Sequence, residues 1–90
     1  MQGQEKRIFK ILDMLDEKAK VLQGARMAAY LGVSSRTVRN DIKAGNAMLK
    51  GEGAEILSEP GSGYTLRVYD RARYMAFRKL QLQESEQQYI

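Results

Sequence analysis

"GVSSRTVRNDI", Gly32 to Ile42, sets two arginines, an asparagine, two serines and a threonine around three apolar side chains. At about 100° per residue, Val38, Ile42, Gly45 and Leu49 fall on one narrow stripe. Arg36, Arg39, Asn40, Lys43 and Ala47 fall on the opposite face. Ser34 stands where an N-cap belongs, its hydroxyl placed to accept from an orphan backbone N–H. The spacing predicts a helix from Ser35 to about Leu49 or Lys50 that turns its long polar groups away from the core together. Thr37 and Asp41 sit on the flanks. Asp41 would repel a phosphate, so it is expected against the protein body. Two readings of the polar face stay open: a solvated helix surface, or a surface that meets a partner rich in acceptors.

Upstream, Met27, Ala28 and Leu31 mark the inner side of a short helix over Ala25–Leu31. Gly32 ends it, because glycine takes the left-handed conformation at little cost. Ile8, Ile11, Leu12 and Leu15 follow the i, i+3, i+4, i+7 rule, which predicts an amphipathic helix over Glu5–Glu17. Val21-Leu22 reads as a stub of strand. Downstream, Gly51 and Gly53 break the third helix. "AEILS" and "YTLRVY" then read as an antiparallel hairpin joined by "EPGSG", Glu59 to Gly63. Tyr64, Leu66 and Val68 alternate with Thr65, Arg67 and Tyr69, a half-buried strand pattern. Pro60 lies at the turn, where it removes no ladder hydrogen bond. Residues 71–90 read as a fourth helix with a Tyr74–Phe77–Leu80 edge and a polar tail expected to fray. That edge is either packed on the domain, or serves as a connector or dimer contact. Gly45 on the core stripe costs about 1 kcal/mol relative to Ala. A kink there, or Met48 filling the gap, is expected. The fold class is mainly α with a small antiparallel β-hairpin.

The chain has 90 residues, enough for one small domain, and 43% are hydrophobic. A chain of this size buries a modest fraction of its surface. Cys and His are both absent. Zinc sites and the commonest acid–base and nucleophile pairs therefore drop out, and neither a cofactor nor enzymatic activity is expected. The carboxylates Asp13, Asp16 and Glu17 read as a solvated helix end. No long apolar run suggests a membrane span or signal peptide, so a cytoplasmic protein is expected. Net charge is +4. Arg26, Arg36, Arg39, Lys43 and Lys50 stand against Asp41 alone, so residues 26–50 carry the whole excess. A basic patch on a balanced body points to a polyanion.

The order helix, short strand, helix, tight turn, helix, hairpin gives these residues a context. Ala28 is small enough for close helix approach, Gly32 permits the sharp turn, and Val38 fills the space between the helices. Such a pair projects the outer face of its second helix into the DNA major groove. "MAAYLGVSSRTVRNDI" resembles the helix-turn-helix of winged-helix bacterial transcription regulators. "GAEILSEPGSGYTLRV" resembles the second half of the same module. Together they are most similar to the N-terminal domains of sugar-operon regulators that carry phosphotransferase-system regulation domains. Deoxyribose-operon repressors and the N-terminal domain of biotin repressors are more distant. The resemblance covers about Glu5 to Asp70, carried by "GVS.RTVR.DI" with a downstream "GxGY.L".

It implies a winged helix-turn-helix over residues 5–70, with residues 71–90 as C-terminal helix, connector or dimer contact. It implies that Ser35, Arg36, Thr37, Arg39, Asn40 and Lys43 meet double-stranded DNA, with Lys43 and Lys50 on phosphates. Arg fits guanine O6 and N7 with two hydrogen bonds, and Asn fits adenine N6 and N7. Ser35 and Thr37, near the helix N-terminus, suit phosphate oxygens. The wing offers Ser62, Gly63 and Arg67. Its tip lacks the basic residues that relatives often carry at the positions of Ser62 and Thr65, so a purely structural hairpin is the competing reading. Relatives also usually have Leu where this chain has Gly45. Dimerisation is consistent with the resemblance, because such modules commonly read paired half-sites. Relatives are usually far longer, which implies a regulatory domain outside this chain. The competing function is a non-catalytic winged-helix module that binds protein or RNA.

Overall fold

The structure is a computed structural model. It describes residues 3–18 and 21–88, with side chains over 3–16 and 21–81. Its elements run α1 (Gly3–Lys18), α2 (Gly24–Leu31), α3 (Ser35–Leu49), β1 (Ala54–Glu59), β2 (Gly63–Val68) and α4 (Arg71–Gln88). The fold is a winged helix-turn-helix, mainly α with one antiparallel hairpin.

Each predicted stripe meets the others in one core. Ile8, Ile11, Leu12 and Leu15 of α1 pack with Met27 and Ala28 of α2. Val38, Ile42 and Leu49 of α3, Ala54 and Ile56 of β1, and Tyr74 of α4 complete the cluster. Fully burying one Leu or Ile side chain contributes about 1.5–3 kcal/mol. A domain this small depends on most of these positions at once. Leu31, expected inward, is only half-buried at the margin.

Gly45 neither kinks α3 nor leaves a gap for Met48. The helix runs unbroken to Leu49. A Cβ on Gly45 would stand 3.2 Å from Ile8 Cγ2 and 3.7 Å from Ile56 Cδ1. The missing side chain is the space that α1 occupies, so Gly45 sets how closely α1 approaches α3.

The hairpin pairs Ala54 with Val68 through Glu59 with Gly63. The Ser62 N–H donates to the Glu59 carbonyl across the turn (2.9 Å). Both edges of this two-stranded sheet are covered, as unpaired strand edges usually are. On the β2 side, Leu22 and Tyr64 exchange backbone hydrogen bonds of 2.9 and 2.8 Å, which places the predicted strand stub. On the β1 side, the Asn46 amide of α3 donates to the Ile56 carbonyl (2.9 Å) and accepts from its N–H (2.8 Å).

The predicted edge of α4 needs correction. Tyr74 is fully buried and Phe77 half-buried, but Leu80 is 61% exposed. The inner face continues instead through Arg78 and Gln81, which keep the i, i+3, i+4, i+7 spacing from Tyr74. The acidic end of α1 is not merely solvated either. Asp13 accepts from Arg78 (2.5 Å), and Asp16 lies 3.7 Å from Arg71. The side chain of Glu17 and residues 89–90 lie outside the described residues. Among the described residues, no helix is long and apolar enough to cross a membrane.

Candidate nucleic-acid interface

The turn between α2 and α3 sets the aim of the candidate site. Gly32 adopts φ 72°, ψ 32°. Its N–H donates to the Ala29 carbonyl (3.4 Å), and the Val33 N–H reaches back to the Ala28 carbonyl (3.0 Å). This is the paired hydrogen-bond pattern of a left-handed helix terminus. A Cβ on Gly32 would meet nothing within 4 Å, so the backbone angle, not space, requires glycine here.

Ser34 then caps α3. Its Oγ accepts from the Thr37 N–H (3.1 Å) and lies 3.1 Å from the Thr37 hydroxyl. Val38, Ile42, Gly45 and Leu49 are buried, as their spacing predicts. That burial leaves Ser35, Arg36, Arg39, Asn40 and Lys43 exposed on the outward side, with Lys50 exposed just past the helix end. Thr37 is half-buried, its hydroxyl engaged at the cap, and stands apart from them. Among the described residues, Arg36, Arg39 and Lys43 take part in no ion pair.

Asp41 explains why this face is so uniformly basic. Its side chain is 1% exposed and turned into the body. Arg7 grips it with Nε on Oδ2 (2.7 Å) and Nη2 on Oδ1 (3.2 Å), and Gln4 Nε2 donates to Oδ1 (3.2 Å). The fork geometry suits a carboxylate. The hydrogen bond to Asp41 raises the Arg7 pKa. The one acid of the segment is thus neutralised behind the helix, and the outer face keeps only cations and neutral donors. Gln4 and Arg7 are missed by reasoning along α3 alone. The signal was present in the expectation that Asp41 points inward, since a buried carboxylate requires a cation.

The wing residues do separate jobs. Ser62 is exposed at the tip. Gly63 is half-buried, and a Cβ there would lie 2.3 Å from the Leu22 carbonyl oxygen. Its smallness lets β2 pair with Leu22. Arg67 is exposed on the outer face of β2, opposite Glu55 in the register. Its guanidinium lies 5.6 Å from the Tyr69 ring centroid. The Tyr69 hydroxyl donates to Glu55 (2.7 Å), a bond that raises the Tyr69 pKa. The wing's single cation is therefore partly offset, unlike those of α3.

A family model described as an HTH domain matches residues 7–65, from the second turn of α1 into β2. The chain belongs to this helix-turn-helix (HTH) domain family. The matched span holds α2, the Gly32 turn, α3 and most of the hairpin. This HTH domain is also 43% identical over 82 residues to the "Probable licABCH operon regulator" of Bacillus subtilis (strain 168). That alignment covers 91% of the chain and 12% of the relative, so the chain spans about one-eighth of the relative's length. No solved structure gives a significant match.

Proposed function

We propose that this HTH domain is the sequence-specific, double-stranded DNA-binding module of a bacterial transcription regulator of the sugar-operon type. The observation that carries the reading is the outward face of α3. Its exposed Arg36, Arg39 and Lys43, in no ion pair among the described residues, lie opposite a buried aliphatic stripe, with Asp41 withdrawn. An α-helix fits the major groove, where each base pair presents its own donor and acceptor pattern. Arg36, Arg39 and Asn40 act as the base readers. Ser35, Lys43 and Lys50 meet phosphates, and Thr37 adds what capacity its capped hydroxyl retains. The relative's name supports an operon regulator, and the phosphotransferase-system link rests on the sequence resemblance. The rest of such a regulator lies outside this chain, with residues 5–70 as the DNA-binding unit and α4 leading toward it. The regulator works in the cytoplasm, and two copies read paired half-sites.

Salt dependence tests the class of partner. Contact with roughly five phosphates predicts a slope of about −4 to −5 in log affinity against log salt on duplex DNA. Salt-insensitive association with a protein, and no preference among duplexes, would favour the competing module instead.

A further inference from the structure

A second basic surface lies outside the 26–50 segment. A groove of about 520 Å³ runs between the first half of α1 and the turn after α2, bordered by Lys6, Arg7, Lys10, Tyr30 and Val33. Lys6 and Lys10 stand one helical turn apart and are exposed. Among the described residues, neither takes part in an ion pair. Arg7 lines the groove while its guanidinium holds Asp41. Among the described residues, no carboxylate borders it. Tyr30 is 73% exposed at its rim, an amphipathic ring with a free edge and a hydroxyl donor. The groove is joined to α3 at two points. Val33 directly precedes the Ser34 cap, and the Arg7–Asp41 pair ties the groove wall to the first half of α3.

We infer that this groove receives the sugar–phosphate backbone of the same DNA, beside the bases that α3 reads. The inference rests on the DNA-binding reading proposed above. A concave surface with two exposed ammonium groups and, among the described residues, no carboxylate at its border matches a row of phosphates, which carry charge at regular spacing and no sequence information. Lysine serves such contacts as a point charge on a flexible stem. Tyr30 adds its hydroxyl to a phosphate oxygen. The groove therefore contributes affinity and register, and leaves base preference to α3. An acidic protein segment is the competing occupant. Continuity with α3, which faces the same polyanion, favours DNA.

The test compares the parent chain with Lys6→Ala/Lys10→Ala, and with Lys79→Ala on the exposed side of α4 as a control for lost charge. Both groove lysines are exposed, so circular dichroism should show an unchanged fold. The probes are a duplex enriched by the parent from a random pool and a scrambled duplex of equal length. Losing two phosphate contacts makes the log–log salt slope shallower by about 1.8. The affinity ratio between the two duplexes stays unchanged, and Lys79→Ala keeps the parent slope. Equal slopes for the double variant and the parent overturn the inference and leave the groove to another occupant. A double variant that also loses its preference for the enriched duplex overturns it as a backbone site. A parent that enriches no duplex sinks the DNA-binding reading, and this inference with it.

Discussion

Gly45 is small because Ile8 of α1 stands 3.2 Å from where its Cβ would be. Two terms compete on substitution. A larger residue gains about 1 kcal/mol of helix propensity over glycine. Forcing a side chain into a filled core costs about 1–3 kcal/mol. For Gly45→Leu, packing wins and the urea midpoint falls. Ile8→Ala in the same chain removes the colliding atoms, so the double variant is more stable than the sum of the single effects predicts. A Gly45→Leu chain with a raised midpoint would show that α1 yields easily. At this scale the sequence was legible wherever a residue acts alone. Gly32 as helix terminator, Ser34 as cap and Asp41 as an inward acid follow from local chemistry. Gly45 looks like a defect along α3 alone, because its reason is an atom of another helix, distant in the chain.

Elements show the same division. The stripes of α1, α2 and α3 are aliphatic and follow the helical period, so their inner faces can be read directly. The inner face of α4 contains Arg78 and Gln81, whose polarity hides it, and Leu80 draws the reading to the wrong side. Asn46 escaped for a related reason: its task is to satisfy Ile56 on the hairpin edge, a pairing that exists only after both elements have formed. α4 is held through side chains, with Arg78 reaching Asp13 and the Tyr74 hydroxyl, and Arg71 near Asp16. Burial is the main reason the Tyr74 pKa is raised above 10.0. Burial opposes the charged guanidinium of Arg78, and its bonds to Asp13 and Tyr74 together outweigh that effect and raise its pKa. A raised pKa means that the folded chain favours the protonated phenol. The stabilisation is complete below the ordinary tyrosine value of about 10 and is lost as pH rises through the folded value. Thermal midpoints should therefore fall in that alkaline range, and Tyr74→Phe should flatten the fall. An identical alkaline profile in the variant would remove Tyr74 from the account.

At the scale of the molecule, charge is sorted by direction. Asp41 is taken inward by Arg7, Asp13 pairs with Arg78 and Asp16 lies near Arg71. The outer face of α3 is left with cations and neutral donors. The composition shows the basic excess of residues 26–50, but not this sorting, nor that Lys6 and Lys10 of α1 join the same side as the turn after α2. Those facts depend on how helices lie against one another. The wing was legible as a hairpin and less so as a contact, since Gly63 serves the Leu22 pairing and Arg67 shares its surroundings with Glu55 and Tyr69.

The central claim is that α3 reads bases with its outer face. The most direct measurement is selection from random duplexes by the parent chain, Arg39→Ala and Asn40→Ala side by side. The parent should enrich one defined half-site. Each variant should relax that preference at a single base pair, by about 1–3 kcal/mol per lost bidentate contact. Variants that enrich the parental half-site with undiminished preference would contradict it.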